Sequence, residues 1–240
     1  MNIDYCISNL SNDKLLGKGV QNKCYDFGDT VLLESRYLGH KELDRCLDEI
    51  GQIKSILDSI NVNSYKVLDY KVVNDKLYIL ESKVKGVPIQ DTNVGISSSI
   101  FINRLNELNN IEILRQFISD YIVLCDNGLS VDAGTPGNFL FDGEKINFID
   151  LGISSEPFDK RFICFYILYN IMHTYCDISD IDEVSLISSY VNGIYEKMCI
   201  VFNELGYGSE MYTLTPNGSI SEYIDKKINN FSRDVRTKSI

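Results

Sequence analysis

Apolar and polar residues follow a short period in the first third of the chain and a longer one afterwards. KLLGKGVQNKCYDFGDTVLLES holds two apolar strand candidates joined through Gly17, Gly19, Gly28 and Asp29. In KELDRCLDEIGQIKSILDSI, Lys41 to Ile60, the apolar positions Leu43, Leu47, Ile50, Ile53, Ile56 and Leu57 form one stripe of a helix. SYKVLDYKVVNDKLYILESKV alternates again and turns at Asn74-Asp75. The opening segment therefore predicts β-β-β-α-β-β, a small mixed lobe over residues 1–85. Gly86 and Pro88 in KGVPI break the pattern and mark the lobe boundary. From residue 86 to 240 helix dominates. SSSIFINRLNELNNIEILRQFISDYIVLCDNG predicts one or two helices, with Ser97 to Ser99 available as a cap. A hairpin, NFLFDGEKINFIDLG, turns at Asp142-Gly143, and helical tracts follow near 159–174, 180–205 and 219–231. RDVRTKSI carries no apolar stripe and reads as a loose tail. The fold class is α+β, a two-lobed chain with a helical second lobe.

The hairpin carries the strongest chemical signal. Asn138 begins its first strand and Asp150 ends its second. A two-stranded hairpin brings its open ends together, so these two should be neighbours. An amide oxygen and a carboxylate facing one gap suit Mg²⁺, with phosphate completing the shell. Pro136 and Gly137 fix the approach, and Gly152 relaxes the backbone after Asp150. The plainer alternative is a loop whose Asn and Asp cap strand ends. GKGVQNKCY, Gly17 to Tyr25, lies between two strands, and its glycines let backbone N–H groups approach phosphates. An ordinary glycine-rich hairpin reads the same way. It lacks the G-K-[ST] of a P-loop, and it leads into a strand where a dinucleotide loop leads into a helix. Glu49, beside apolar Ile50, either reaches a cation on a neighbouring strand or faces solvent.

With 240 residues and 44% hydrophobic content, the chain has enough material for one full core or two small lobes sharing a cleft. The formal charge of -11 argues against binding nucleic acid or an anionic membrane. It leaves a nucleotide open, since a glycine loop and a bound cation neutralise phosphates locally. Seven cysteines without C-x-x-C spacing fit a disulfide framework poorly and read mostly as small buried hydrophobes in a reducing compartment. Two histidines make a zinc site improbable. The apolar run Phe162 to Met172 is too short to span a bilayer and reads as a buried helix. The N-terminus has no basic region followed by an apolar one, so no cleaved leader is evident.

These motifs resemble the protein-kinase-like fold, especially its compact bacterial branches: aminoglycoside phosphotransferase-like kinases and the small effector kinases that pathogens inject into host cells. The resemblance covers Leu15 to the helices beyond 160. It implies an ATP-dependent phosphotransferase using ATP and Mg²⁺. Gly17, Lys18 and Gly19 would cover the phosphates, and Glu49 would stand in the helix-glutamate position. Glu81 to Val84 would form the hinge that contacts adenine, followed by Gly86 and Pro88. Asn138 would close the catalytic loop, and Asp150-Leu151-Gly152 is similar to D-F-G. Asp150 and Asn138 would hold the metal, and Asp132 would be the catalytic base.

Two positions depart from the family pattern. Counting back from Asn138, the usual aspartate position falls on Ala133. One extra residue at Gly134 would let Ser130-Val131-Asp132 stand for H-x-D; otherwise the base is absent. On the third strand, Glu34 occupies the place of the phosphate-binding lysine, and a carboxylate repels phosphates. Arg36, on the same strand face as Glu34 by period, would substitute, as would Lys18 or Lys23; a register misread by one or two residues is the other explanation. The resemblance implies a protein acceptor, such as a host protein, in preference to a small molecule, because the second lobe carries no large insertion. It implies a cytoplasmic site of action, or delivery into a host cell without a cleaved leader. A pseudokinase serving as a binding module explains both departures, and a non-kinase α+β domain is the third reading.

Overall fold

The computed structural model describes residues 1–19, 22–89, 96–131, 137–153, 163–173, 176–209, 213–215 and 218–238. The chain opens with a short helix, α1 (Ile3–Ser8), and a single 3₁₀ turn (Asn12–Lys14). Three strands follow, β1 (Leu15–Lys18), β2 (Asn22–Asp26) and β3 (Thr30–Ser35), then helix α2 (His40–Ser59) and strands β4 (Val67–Val73) and β5 (Lys76–Ser82). They form one antiparallel sheet in the order β1-β2-β3-β5-β4. The β4–β5 hairpin turns through Asn74 and Asp75, both in the left-handed region (φ 51° and 58°), as a two-residue turn with the twist of its strands requires.

Both faces of this sheet are covered. On one, α2 lays down Leu43, Ile50, Ile53 and Leu57. On the other, Ile3 and Cys6 of α1 pack with Tyr25, Phe27, Leu32, Tyr78 and Leu80. Sequence periodicity misses α1 because its six residues make less than two turns.

Beyond the sheet come β6 (Val87–Pro88), β7 (Ile96–Ser97), α3 (Ser98–Leu108) and α4 (Ile111–Asp126). Next are β8 (Leu129–Val131), the hairpin β9 (Phe139–Phe141) and β10 (Ile146–Phe148), and β11 (Leu151–Ile153). Helix α5 (Ile163–Met172), β12 (Cys176–Asp177), α6 (Ile181–Glu204), β13 (Leu214–Thr215), β14 (Gly218–Ser219) and α7 (Ile220–Lys238) complete the chain. β6 extends the β9–β10 hairpin on its β9 side, β8 pairs with β11, β7 with β12 and β13 with β14. Gly86, at φ 123°, is needed for β6 to join: a Cβ there would lie 2.8 Å from the Phe141 carbonyl group.

The fold is the expected α+β arrangement, an antiparallel N-terminal sheet followed by a mostly helical part. Its main core is continuous from Ile50, Ile53 and Leu57 of α2 into the helices. The C-terminal stretch expected as a loose tail is instead helical through Lys238, with Val235 buried. Val235 follows Phe231, Ile228 and Ile224 at helical spacing, a stripe invisible when RDVRTKSI is read alone. All seven cysteines are thiols outside any disulfide, and only Cys6 and Cys164 are fully buried; the other five are half-buried, against the expectation for most of them. α5 buries Cys164, Ile167, Leu168, Ile171 and Met172. Among the described residues no helix is long and apolar enough to cross a membrane.

Candidate functional site

The hairpin is fixed from below by aromatic packing. Phe148 stacks on Phe117 of α4 with ring centroids 5.3 Å apart, and Phe139 meets Phe117 edge-on at 5.7 Å. Its turn is closed by Asp142, whose Oδ1 accepts from the Glu144 and Lys145 amides at 3.0 and 2.9 Å. Asn147 Nδ2 donates to the Lys85 carbonyl at 3.3 Å and ties the hairpin to the connection after β5. At the open end, the Ile149 amide donates to the Asn138 carbonyl at 3.1 Å. The backbone thus brings buried Asn138 to within one residue of Asp150, as the hairpin argument requires.

Asp150 has a left-handed backbone, φ 56°. Non-glycine residues seldom adopt it, and such strain concentrates at functional sites. Sequence reasoning placed the flexible position at Gly152; the strained residue is Asp150 itself, and a Cβ on Gly152 would make ordinary contacts at 3.8 Å with Glu49 and Ser130. Leu151 then pairs with Val131 across the β8–β11 ladder. The chain therefore leaves Val131 at the end of the ladder where Asp150 enters. Asp132 and Ala133 lie outside the described residues.

Asp150 lines a cavity of about 230 Å³ between α2, the sheet and β11. Glu49 of α2 faces it, and the Ile153 amide donates to Glu49 Oε1 over 3.4 Å. From the sheet come Leu33, Ser35, Leu77, Ile79 and Glu81. The Glu81 main chain is held in the sheet between Val31 and Val67, so its side chain is what reaches the cavity. Burial first, and then the Asp150 carboxylate, push the Glu81 carboxyl up to about 8. Tyr65 is buried on the same wall and its hydroxyl donates to the Leu151 carbonyl at 3.5 Å. Burial, followed by the Glu81 charge, drives that phenol far above its ordinary value.

Glu34 points the other way. Burial alternates along β3, and Glu34 shares the α1 side with Leu32. There it accepts from Tyr25 Oη at 2.9 Å and pairs with Lys76 and, at 3.7 Å, with Lys23. The expectation that Arg36 shares the Glu34 face is wrong: Arg36 lies past the end of β3 and lines the cavity. It pairs with Glu42 at 2.9 Å. The cleft side of β3 presents Leu33 and Ser35, so among the described residues the cations lining the cavity are Arg36 and Arg45. Arg45 was missed; its place one helical turn before Glu49 is the signal that could have found it.

Gly17 and Lys18 lie on exposed β1, and the Gly19 amide donates to the Asn22 carbonyl at 2.8 Å. A Cβ on Gly17 would meet nothing within 4 Å. Val84 is half-buried in the connection after β5. A larger open groove, about 610 Å³, runs between Lys85–Val87, α3 and the Asp142–Glu144 turn, and none of these candidate residues lines it.

No protein-family model matches the chain, and no curated protein matches it. Among solved structures it is similar to the crystal structure of the Mycobacterium tuberculosis PknI kinase domain, at 13% identity and a TM-score of 0.46, over 91% of this chain and 94% of that one. A likeness that distant assigns no activity.

Proposed function

We propose that this protein is an ATP-dependent phosphotransferase of the protein-kinase-like type, acting on a hydroxyl of a protein acceptor. Asp150 carries the reading. It is a strained carboxylate at φ 56°, set beside Asn138 by the hairpin and facing a cavity between the sheet and the helical part. Such strain persists where the surrounding structure enforces it for a purpose other than stability. Gly17 of β1 is compatible with this: a Cβ there would meet nothing within 4 Å, so the strand is open to a phosphate on that side.

The donor set suits Mg²⁺. Asn138 and Asp150 offer oxygens, and no group of three His, Cys, Asp or Glu side chains among the described residues could cage a metal. That fits an ion held by few protein oxygens and completed by phosphates and water. When bound, it would neutralise phosphate charge. The chain's own residues do the rest by positioning. Val84 would hold the adenine from its backbone. Gly17, Lys18 and Gly19 would cover the phosphates, and Arg36 or Arg45 would supply the cation that β3 lacks. Asp132 would orient the acceptor hydroxyl and take its proton as oxygen bonds to the terminal phosphorus and ADP leaves. A protein acceptor is favoured because α5, α6 and α7 follow one another closely in sequence, with no inserted subdomain among the described residues to enclose a small molecule.

One observation favours a second reading, a pseudokinase that binds without transferring: the β3 face toward the cavity carries Leu33 and Ser35 in place of a cation. Two measurements separate them. Mg²⁺-dependent stabilisation by ATP with phosphoryl transfer to protein, both lost in Asp150→Ala and transfer alone lost in Asp132→Ala, supports the phosphotransferase. Stabilisation without transfer supports the binding module, and neither effect rejects both.

A further inference from the structure

Helices α5 and α7 meet along a stripe that each builds with residues four apart. Phe165, Tyr169 and His173 follow one another along α5 and just past its end, and Tyr223 and Lys227 face them from α7. Phe165 meets Tyr223 edge-on with ring centroids 5.2 Å apart, and the Tyr169 and His173 rings lie 3.9 Å apart. At the end of the stripe Lys227 Nζ is 2.7 Å from His173 Nε2, and both residues are half-buried.

What each atom can donate or accept fixes the protons in this contact. His173 Nδ1 is 2.9 Å from the Tyr169 carbonyl, which only accepts, so Nδ1 carries the hydrogen. The Tyr223 hydroxyl lies 3.3 Å from the same nitrogen. A charged Lys227 brings donors and no acceptor, so Nε2 must keep its lone pair. His173 is therefore neutral, and the pair carries one positive charge. A second proton has no place: it would set N–H against N–H and cation against cation. Among the described residues no carboxylate lies within ion-pair distance of either group to take up that charge. The other charge facing the pair is Lys226 of α7, and α6, which also packs on α5, sends none. Burial, and the Lys227 charge after it, hold His173 below its ordinary value against the opposing pull of the Tyr169 carbonyl. Burial first and then Lys226 lower Lys227.

We propose that this contact is an acid-sensitive latch: protonation of His173 drives Lys227 away from α5 and opens the aromatic seam of Phe165, Tyr169 and Tyr223. α7 stays docked through buried Ile220, Ile224 and Val235, so the opening is local. The lowered histidine sets the sign. The unfolded chain takes the proton more readily than the folded one, so the contact is intact above the ordinary value of 6.5 and is lost as pH falls below it. None of these residues lines the cavity of Asp150, and the inference goes beyond the phosphotransferase reading without depending on it.

The test uses NMR on the full chain, whose two histidines, His40 and His173, give two ring signals to follow with pH. In wild type His173 should titrate below 6.5, and Lys227→Met should move that titration upward. Amide exchange is read in parallel, corrected for the intrinsic effect of pH and referenced to α6. From Tyr223 to Ile228 it should quicken at least about tenfold between about pH 7.5 and about pH 5. His173→Gln keeps an acceptor for Lys227 and cannot titrate, so its α7 exchange should hold steady. Lys227→Met, which removes the second charge, should hold steady as well, and serves if the glutamine variant does not fold. Wild-type exchange that ignores pH, a quickening that persists in either variant, or a His173 titration unmoved by Lys227→Met overturns the proposal.

Discussion

The Tyr25 hydroxyl donates to Glu34 Oε2 over 2.9 Å on the sheet face that α1 covers. Glu34 also pairs with Lys76, whose side chain is only 20% exposed. Burial pushes the Glu34 carboxyl up, but hydrogen bonds from Lys76 and Tyr25, with the charges of Lys76 and Lys23, outweigh it and leave it below its ordinary value. This carboxylate belongs to the sheet and lies away from the cleft. Glu34→Ala should cost roughly 2–4 kcal/mol of stability in urea, because Tyr25 and Lys76 lose a buried partner. Nucleotide-induced stabilisation should be unchanged at matched folded fraction. The lowered value sets the sign with pH: the contribution is present above the ordinary carboxylate range and fades as acid protonates the folded state. The gap between wild type and variant should therefore narrow in acid. A selective loss of ATP binding in Glu34→Ala would return this residue to the site.

A second carboxylate holds the approach to the site. Asp120, buried within α4, accepts from the Asn63 amide at 2.9 Å, Asn63 Nδ2 at 2.7 Å and Gln116 Nε2 at 2.6 Å. Asn63 in turn accepts at its carbonyl from the Phe148 amide at 2.8 Å. The connection from α2 to β4 is thus bound to both α4 and the hairpin. Asp120→Ala leaves the half-buried Asn63 donors without their acceptor, while exposed Gln116 turns to water, and should cost about 2 kcal/mol. Hydrogen exchange should rise first at Phe148 and the residues around Asn63. Exchange that rises uniformly would mean that Asp120 supports α4 alone.

The sequence made the local features legible and left the nonlocal ones hidden. The β4–β5 and β9–β10 hairpins follow from their N-D and D-G turns, and α2 from a six-residue apolar stripe, because each signal lies within one window. The β8–β11 ladder has three residues per strand and joins segments about twenty apart, so neither strand announces itself. Period 2 puts Glu34 and Leu32 on one face but cannot say which face meets α2. A short helix at the N-terminus decides it by covering the other side. Asp120 sits in an apolar helix where only its partners, distant in sequence, explain it. Asn138 and Asp150 were legible because a hairpin is the one long-range contact that a turn predicts.

The strain at Asp150 separates stability from function. A glycine there accepts φ 56° without steric cost. Relief of a left-handed aspartate is worth about 1 kcal/mol, partly offset by the greater freedom of glycine in the unfolded chain. Asp150→Gly should therefore fold at least as stably as Asp150→Ala, by up to about 1 kcal/mol in paired urea melts. Both should lose Mg²⁺-dependent ATP stabilisation equally, since both lack the carboxylate. If Asp150→Gly retained that stabilisation, the metal would be held elsewhere.

Glu81 makes the sharpest statement about pH. Folding carries its carboxyl from an ordinary 4.5 up to about 8, through burial first and the Asp150 charge second. The folded protein then holds this proton more tightly than the unfolded chain does. The resulting stabilisation is fully present below the unfolded value of 4.5, declines as pH rises, and is gone above about 8. Over that window wild type should lose on the order of 4 kcal/mol from this group alone. Glu81→Gln has no proton to release there, so its stability should vary much less between about pH 5 and about pH 8.5. Near the acid end, where wild-type Glu81 is neutral, the two proteins should differ little. At the alkaline end the variant should be the more stable. Asp150→Asn should remove the second cause and flatten part of the wild-type slope. Parallel stability curves for wild type and Glu81→Gln would show that solvent or a neighbouring cation reaches this carboxyl in solution.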